Sequence, residues 1–176
     1  MPTITIETRI AAPIEAVFDL ARDVGAHAAS SAFTGERVVA PGRTEGLLEL
    51  GDLLTFEGRH LGVRQRITVR ITEMDPPRRY VDEGVRTALR GLHHLHEFWE
   101  DGVPHPVPLP ASGERVAEGR VRGTVMRDVV TWRSPLGILG RIADALFVTR
   151  HMRWFVTEKQ RRLKAMIEDR DSYIVS

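Results

Sequence analysis

The sequence contains no cysteine and no excess of either charge. Without cysteine the chain has no disulfide framework, no thiolate metal site, no Fe–S cluster and no cysteine nucleophile. A stretch of about 18 consecutive apolar residues, which a membrane-spanning helix needs, is also missing. The 25 Lys+Arg and 24 Asp+Glu give a formal net charge of +1 without a long basic run. We therefore expect neither a nucleic-acid partner nor a membrane span.

Length and composition favour a single soluble domain. The chain has 176 residues, of which 42% are hydrophobic and 28% charged, and a chain of this size can bury a sizeable core. The first ten residues, MPTITIETRI, lack the basic and then apolar segments of a secretory signal. We therefore expect one domain over residues 1–176, located in the cytoplasm.

The N-terminal part of the sequence predicts a strand followed by two short helices. Isoleucine alternates with polar residues over residues 3–10, which is the period-two pattern of a half-buried strand. Pro13 suits the first turn of a helix, and apolar residues then recur at helical spacing as far as Gly25. Residues 26–34, rich in alanine, predict a second short helix.

The next two strands indicate their own orientation through the placement of charge. In Leu54–His60 the charged residues share one parity, so that Phe56 and His60 point to the buried face. In Val63–Ile71 three arginines and a threonine share one parity and face water. Val63 and the other residues of its parity are therefore expected inside.

Three further strands complete the predicted sheet, over residues 79–85, 92–100 and 120–133. Between the last two lies the loop 101–118, whose four prolines at alternate positions favour extended geometry and exclude a central strand. Alternation in the final strand turns a carboxylate, Asp128, toward the interior. The residues that share its face are Thr124, Met126, Val130 and Trp132.

The chain is predicted to end with one long helix. Ser134 suits the N-cap position and Pro135 the first turn, and no further proline follows. Apolar residues then recur at roughly helical intervals, with a change of phase between Phe147 and His151 that predicts a bend.

The order of these elements predicts the fold class. A doubly wound parallel sheet needs strands and helices that alternate, whereas here one strand and two short helices precede a series of strands. We expect an α+β protein of the helix-grip type. Its curved antiparallel sheet of about six or seven strands would surround a long C-terminal helix, with two short helices after the first strand. The space between such a sheet and its helix is a natural small-molecule cavity.

The sequence resembles the START/Bet v 1-like (SRPBCC) helix-grip superfamily, especially its bacterial polyketide cyclase/dehydrase-like branch. The resemblance covers nearly the whole chain. Its most specific segments are GTVMRDVVTWRSPLGILGRIADALFV and RHMRWFVTEKQRRLKAM, with LTFEGRHLGVRQRIT, RRYVDEGV and HHLHEF upstream. It implies a domain that binds a hydrophobic or amphipathic small molecule without an enzymatic step, a cofactor or a metal.

The resemblance also indicates which polar residues face the cavity. Its aligned polar positions are His60, Asp82, His94, His96 and Asp128. Imidazoles and carboxylates are costly to bury without partners. These side chains should therefore form hydrogen bonds with one another, with water or with a ligand.

We hypothesise that apolar burial supplies the affinity for the ligand and that the polar positions orient it. The predicted ligand-binding residues are Phe56, His60, Asp82, His94, His96, Phe98, Met126, Asp128, Trp132, Leu146 and Phe155. The predicted apolar wall also includes Ile67, Val69, Val130 and Ile142.

Four other interpretations of the same residues remain open. An enzyme of the cyclase or dehydratase type would use His60 or His96 as general base and Asp128 as orienting carboxylate. An interaction module would dock a protein partner through the proline-rich loop 101–118. A polar layer in the sheet would need no ligand at all. The pair His94-x-His96 places two imidazoles on one strand face, where a third ligand would complete a metal site, although the resemblance carries no metal.

The remaining histidines and one basic segment receive no functional interpretation. His27, His93, His105 and His151 are interpreted as surface or loop residues. The arginine-rich segment Arg150–Arg162 is typical of the solvated face of a helix.

Overall fold

A computed structural model of the chain describes residues 1–60, 62–103, 123–133 and 147–172. These residues form a seven-stranded antiparallel sheet with the spatial order β1-β7-β6-β5-β4-β3-β2. The first and second strands therefore lie at opposite edges. The strands are β1 (Thr3–Ile10), β2 (Arg37–Val38), β3 (Leu53–His60), β4 (Val63–Asp75), β5 (Arg79–Arg86), β6 (Arg90–Glu100) and β7 (Thr124–Arg133).

Two short helices follow β1, and a long helix ends the described chain. They are α1 (Ile14–Arg22), α2 (Val24–Ser31) with one 3-10 turn (Ala32–Thr34) behind it, and α3 (Thr149–Ser172). The α3 helix packs against β1, α2 and α1. Among the described helices, none combines the length and the apolar character that a bilayer crossing requires.

The predicted architecture is confirmed. The sheet, the two short helices after the first strand and the long C-terminal helix occur in the expected order. One strand is longer than predicted: β4 continues to Asp75 instead of ending at Ile71. The predicted start of the last helix at Ser134 and most of the loop 101–118 lie outside the described residues.

The core forms where the inner face of the sheet meets the helices. In one cluster the Phe18 ring of α1 packs edge-to-face against Tyr80 and Phe98, with ring centroids 5.9 and 5.4 Å apart. In a second cluster Trp132 of β7 packs with Val156 of α3 and is completely buried. Residues of both clusters border the space between the sheet and α3.

One prediction about the inner face is wrong. Val63 was expected inside, but 61% of its surface is exposed. It lies directly after the turn between β3 and β4 and pairs with His60, whose ring is covered by Phe155 of α3. Alternation therefore assigns the face of a residue correctly, but burial also requires an element that covers the residue.

Candidate functional site

A cavity of about 330 Å³ lies between the sheet and α3. Its volume falls at the lower end of the range, roughly 300–1,000 Å³, that is usual for small-molecule sites. Most of its wall is apolar and comes from β3 to β7 and from α3. Representative wall residues are Leu54, Phe56, Ile67, Val69, Leu92 and Phe155.

Seven histidine, lysine and acidic side chains interrupt this apolar wall, and they belong to two groups. On the sheet, Asp82 and His94 line the cavity, with His96 and Asp128 directly behind them; we call these four residues the His/Asp cluster. Nearer to α2 and the start of α3 are the residues that we call the helix-side group: His27, Glu36, His60, His151 and Lys159.

The His/Asp cluster is assembled by the register of three neighbouring strands. Asp82 of β5 pairs with His94 of β6, and His96 of β6 pairs with Asp128 of β7. Residues opposite each other in an antiparallel pair, and residues two apart on one strand, point to the same face. The four side chains therefore converge on the inner face, where the rings of His94 and His96 lie 3.8 Å apart.

His96 is held between two carboxylates. Its Nδ1 lies 2.7 Å from Oδ1 of Asp128, and its Nε2 lies 3.0 Å from Oδ2 of Asp82. Carboxylates only accept hydrogen bonds, so both ring nitrogens must carry a proton. Burial alone would lower the pKa of His96, but Asp128 and Asp82 together raise it to about 9. His96 is therefore an imidazolium, and Tyr80 stacks on its ring at 4.2 Å.

His94 has weaker polar contacts than its neighbour. Its Nδ1 lies 3.6 Å from Asp82 and its Nε2 lies 3.6 Å from Asp128, which is too long for a good hydrogen bond. Burial and the positive charge of His96 lower the pKa of His94. The ring is therefore neutral, and its Nε2 is buried without a hydrogen-bond partner among the described residues.

In the helix-side group, Lys159 and His27 form a buried pair. Nζ of Lys159 lies 2.5 Å from Nε2 of His27, and the His27 ring stacks on Phe56 at 4.6 Å. Burial lowers the pKa of both residues, and the charge of Lys159 further lowers that of His27. His27 is therefore neutral and accepts a hydrogen bond from the lysine.

Glu36 belongs to the same group and lies directly before β2, next to Gly58 of the paired strand β3. A Cβ atom at Gly58 would lie only 3.0 Å from Cα of Glu36, so glycine permits the close approach. Burial raises the pKa of the Glu36 carboxyl to about 7, against the charge of Lys159. Its Oε2 has no hydrogen-bond partner among the described residues and lies 4.0 Å from Nε2 of His60.

His60 and His151 lie together at the start of α3. Nδ1 of His60 is 3.3 Å from Nε2 of His151, and the His60 ring packs edge-to-face on Phe155. Burial, and then the neighbouring His151, lower the pKa of His60 to about 4. His60 is therefore neutral at physiological pH.

Of the predicted ligand-binding residues, five line the cavity: Phe56, His60, Asp82, His94 and Phe155. His96 and Asp128 are buried directly behind this wall. His96 is hydrogen-bonded to Asp82 of the wall and to Asp128. Ile67, Val69 and Val130 of the predicted apolar wall also line the cavity. Leu146 and Ile142 lie outside the described residues.

Phe98, Met126 and Trp132 do not line the cavity, in contrast to the prediction. All three lie on the inner face and are buried. Phe98 and Met126 belong to the cluster around Phe18, and Trp132 belongs to the cluster around Val156. Helices fill the space in front of these residues, so their inward orientation places them in the core.

The interpretation of His27 and His151 as surface or loop residues is wrong. His27 is only 8% exposed, and both rings line the cavity. Lys159 is likewise buried, although it lies in the segment Arg150–Arg162 that was interpreted as solvated. A sequence signal exists for the lysine, because it follows Val156 by three residues and precedes Leu163 by four, which is the spacing of one helix face.

The comparisons with known proteins give structural matches only. No protein-family model and no curated protein matches the chain. The structure of TTHA0849 from Thermus thermophilus aligns with a TM-score of 0.64 at 20% identity, covering 93% of this chain and 94% of that one. Protein Ms6760 from Mycobacterium smegmatis aligns with a TM-score of 0.60 at 16% identity, covering 95% and 91%.

An enzyme is also among the similar structures. A point mutant of norcoclaurine synthase from Thalictrum, bound to a transition-state analogue, aligns with a TM-score of 0.61 at 9% identity. The alignment covers 97% of this chain and 96% of the synthase. At such low identity these likenesses establish the fold. The chain has the helix-grip fold that the sequence analysis predicted.

Proposed function

We propose that this protein binds a hydrophobic or amphipathic small molecule in the cavity between the sheet and α3. The observation that carries the proposal is the cavity itself, about 330 Å³ of space under the closing helix. An apolar wall with a few convergent polar groups is the usual composition of a small-molecule site. Each Å² of apolar ligand surface removed from water contributes about 25 cal/mol to binding.

The polar residues of the wall favour a ligand with at least one polar end. Lys159 offers N–H donors, and Glu36 offers a carboxyl oxygen without a hydrogen-bond partner among the described residues. Buried polar groups are stabilised when a ligand supplies the missing partner. A molecule with an apolar body and a hydroxyl or carbonyl group at one end fits this distribution.

Binding is better supported than the alternative of a cyclase or dehydratase. Both nitrogens of His96 are engaged by carboxylates, which leaves no lone pair for a general base. His60 does line the cavity. However, an imidazole with a pKa of about 4 is a weak base at neutral pH. Neither predicted base therefore has the properties that proton abstraction needs.

The proposal is tested with 1-anilinonaphthalene-8-sulfonate (ANS), an amphipathic fluorescent molecule. We expect saturable binding of one ANS per chain, with a rise in melting temperature because the ligand binds only the folded state. Ile67→Trp places an indole into the cavity wall, and we expect it to weaken ANS binding by at least about tenfold. Leu50→Trp is the matched control, since Leu50 is 63% exposed and does not line the cavity.

Two results would contradict the proposal. One is ANS binding that does not saturate at one site. The other is equal binding by the two tryptophan variants, which would place the dye on the surface. If Ile67→Trp does not fold, Leu92→Phe provides a smaller increase in volume at another wall position.

A further inference from the structure

The His/Asp cluster has two carboxylates on opposite sides of two imidazoles. Oδ2 of Asp82 lies 3.0 Å from Nε2 of His96 and 3.6 Å from Nδ1 of His94. On the other side, Oδ1 of Asp128 lies 2.7 Å from Nδ1 of His96 and 3.6 Å from Nε2 of His94. Each carboxylate therefore faces one nitrogen of each ring.

We propose that Asp82, His94 and His96 bind a divalent transition-metal ion, with Asp128 as the carboxylate that supports both imidazoles. The ion would lie between Asp82 and the two rings, at Nδ1 of His94 and Nε2 of His96. This goes beyond the proposed small-molecule function and does not depend on it. The expectation from sequence was a site without metal.

The distances between the three ligand atoms agree with a metal site. One ligand atom from each residue lies within 4.8 Å of the other two. In a tetrahedral zinc site, with bonds of about 2.0–2.2 Å, neighbouring ligand atoms lie about 3.3–3.6 Å apart. The separation of 3.6 Å between Asp82 and His94 falls in this range, and the separation of 3.0 Å between Asp82 and His96 is slightly shorter.

Asp128 occupies the position of a supporting carboxylate. A histidine that binds a metal through one nitrogen usually donates its other N–H to a carboxylate or a carbonyl, which fixes the ring and its tautomer. Asp128 is buried and accepts a hydrogen bond from Nδ1 of His96. Nε2 of His94, which has no hydrogen-bond partner among the described residues, also points toward Asp128 and would carry the proton when Nδ1 binds the ion.

The charge of the cluster also favours a cation. Asp82 and Asp128 are two buried carboxyl groups within one cluster. Buried charge is costly unless it is compensated, and a divalent ion beside these groups would compensate it. On binding, the proton on Nε2 of His96 would be released to solvent.

The proposed site would be open toward the cavity. Asp82 and His94 both line the cavity wall, so a fourth coordination position of the ion would face the cavity. Three protein ligands with an open position are typical of accessible zinc sites, and two histidines with one carboxylate also suit Fe²⁺. The metal would then coordinate a hydroxyl or carbonyl oxygen of a molecule in the cavity.

The test uses the full chain without an affinity tag, freed of metal by a chelator. We expect titration calorimetry to show one Zn²⁺ per chain and Co²⁺ to give the visible absorption of a four-coordinate site. His94→Ala and Asp82→Ala should each weaken Zn²⁺ binding by at least about 100-fold, and Asp128→Asn by about 10- to 100-fold. His93→Ala is the matched control, because His93 is the next residue on β6 and points to the other face.

The proposal is overturned if the wild-type chain binds neither ion, whatever the variants do. It is also overturned if His94→Ala binds Zn²⁺ as tightly as His93→Ala does. If the alanine variants do not fold, NMR of the wild-type chain replaces them. Co²⁺ should then shift the imidazole signals of His94 and His96, and shifts confined to other histidines would contradict the site. ANS binding by the metal-free chain reports separately on the cavity.

Discussion

Glu36 is a carboxyl group in a position that favours its protonated form. Its side chain is 5% exposed, and the charged and titratable groups near it are Lys159 of α3 and His60 of β3. Burial raises its pKa from 4.5 to about 7 even though Lys159 acts in the opposite direction. The folded state therefore holds a proton that the unfolded state releases at lower pH.

Replacing this carboxyl should change how stability depends on pH. Below pH 4.5 Glu36 is protonated in both states, and the stability linked to its proton is fully present. This contribution is lost as the pH rises through about 7. Relative to wild type, Glu36→Gln should therefore become more stable by up to about 3 kcal/mol between pH 4.5 and pH 8. Urea denaturation at several pH values measures the difference.

The control for this prediction is Glu45→Gln, which changes the same group at an exposed position. Its effect on the free energy of unfolding should be small at every pH. A difference between wild type and Glu36→Gln that stays constant with pH would show that the Glu36 carboxyl is ionised in the folded state as readily as in the unfolded one.

At the residue scale, sequence patterns predict the direction of a side chain better than its surroundings. Alternation alone turned His60 and Asp128 inward, and the family resemblance turned Asp82, His94 and His96 inward. Neither indicated which inward residues would lie under a helix. Phe98 and Trp132 are covered by α1 and α3, so they are core residues, whereas the positions of the cavity wall are determined by where the helices leave a gap.

At the scale of elements, the hydroxyl of Tyr80 connects the sheet to the end of α1. It donates a hydrogen bond of 3.0 Å to the carbonyl oxygen of Ala21. Ala21 lies in the last turn of α1, where helix carbonyls have no partner within the helix. The contact therefore satisfies a buried group that the helix itself leaves unpaired.

Removing this hydroxyl should weaken the attachment of α1. We expect Tyr80→Phe to destabilise the fold by about 1 kcal/mol, the usual net contribution of a neutral hydrogen bond, and chemical denaturation measures this. The ring that stacks on His96 is retained, so the His/Asp cluster should be unchanged. A loss above about 3 kcal/mol would instead indicate that the variant disturbs the packing of Phe18 and Phe98.

The sequence predicted that the helices are present, but it predicted less well which of their residues face the interior. Hydrophobic spacing and the absence of proline predicted the long terminal helix, which α3 confirms over its described length. The inner face of α3 was not predicted, because the segment contains many charged residues. On that face Lys159 and Gln160 are buried together with Val156 and Leu163. Lys159 meets His27 of α2, a contact between residues 132 positions apart, which no local pattern records.

At the scale of the whole molecule, the two halves of α3 contact different parts of the structure. The C-terminal half is attached to β1: Gln160 bonds to Thr8, Lys164 donates to the carbonyl of Arg9, and Glu168 accepts from the backbone of Ala11. The preceding turns face the cavity through residues such as Met152 and Phe155. The C-terminal half of α3 is therefore bonded to the first strand and the residue after it, whereas the preceding turns lie beside the cavity.

This difference predicts unequal local stability along one helix. Amides of residues 160–164 should exchange with solvent at least roughly tenfold more slowly than those of residues 153–156, because regions with fewer buried contacts open at lower cost. Saturating ANS should slow exchange at residues 153–156 and leave residues 160–164 nearly unchanged, since a molecule in the cavity supports only the first of these segments. Hydrogen exchange followed by NMR measures both. Uniform protection along α3 in the ligand-free protein would mean that the cavity does not weaken the helix above it. Slower exchange of both segments with ANS would mean that ANS stabilises the whole fold and not only the residues beside the cavity.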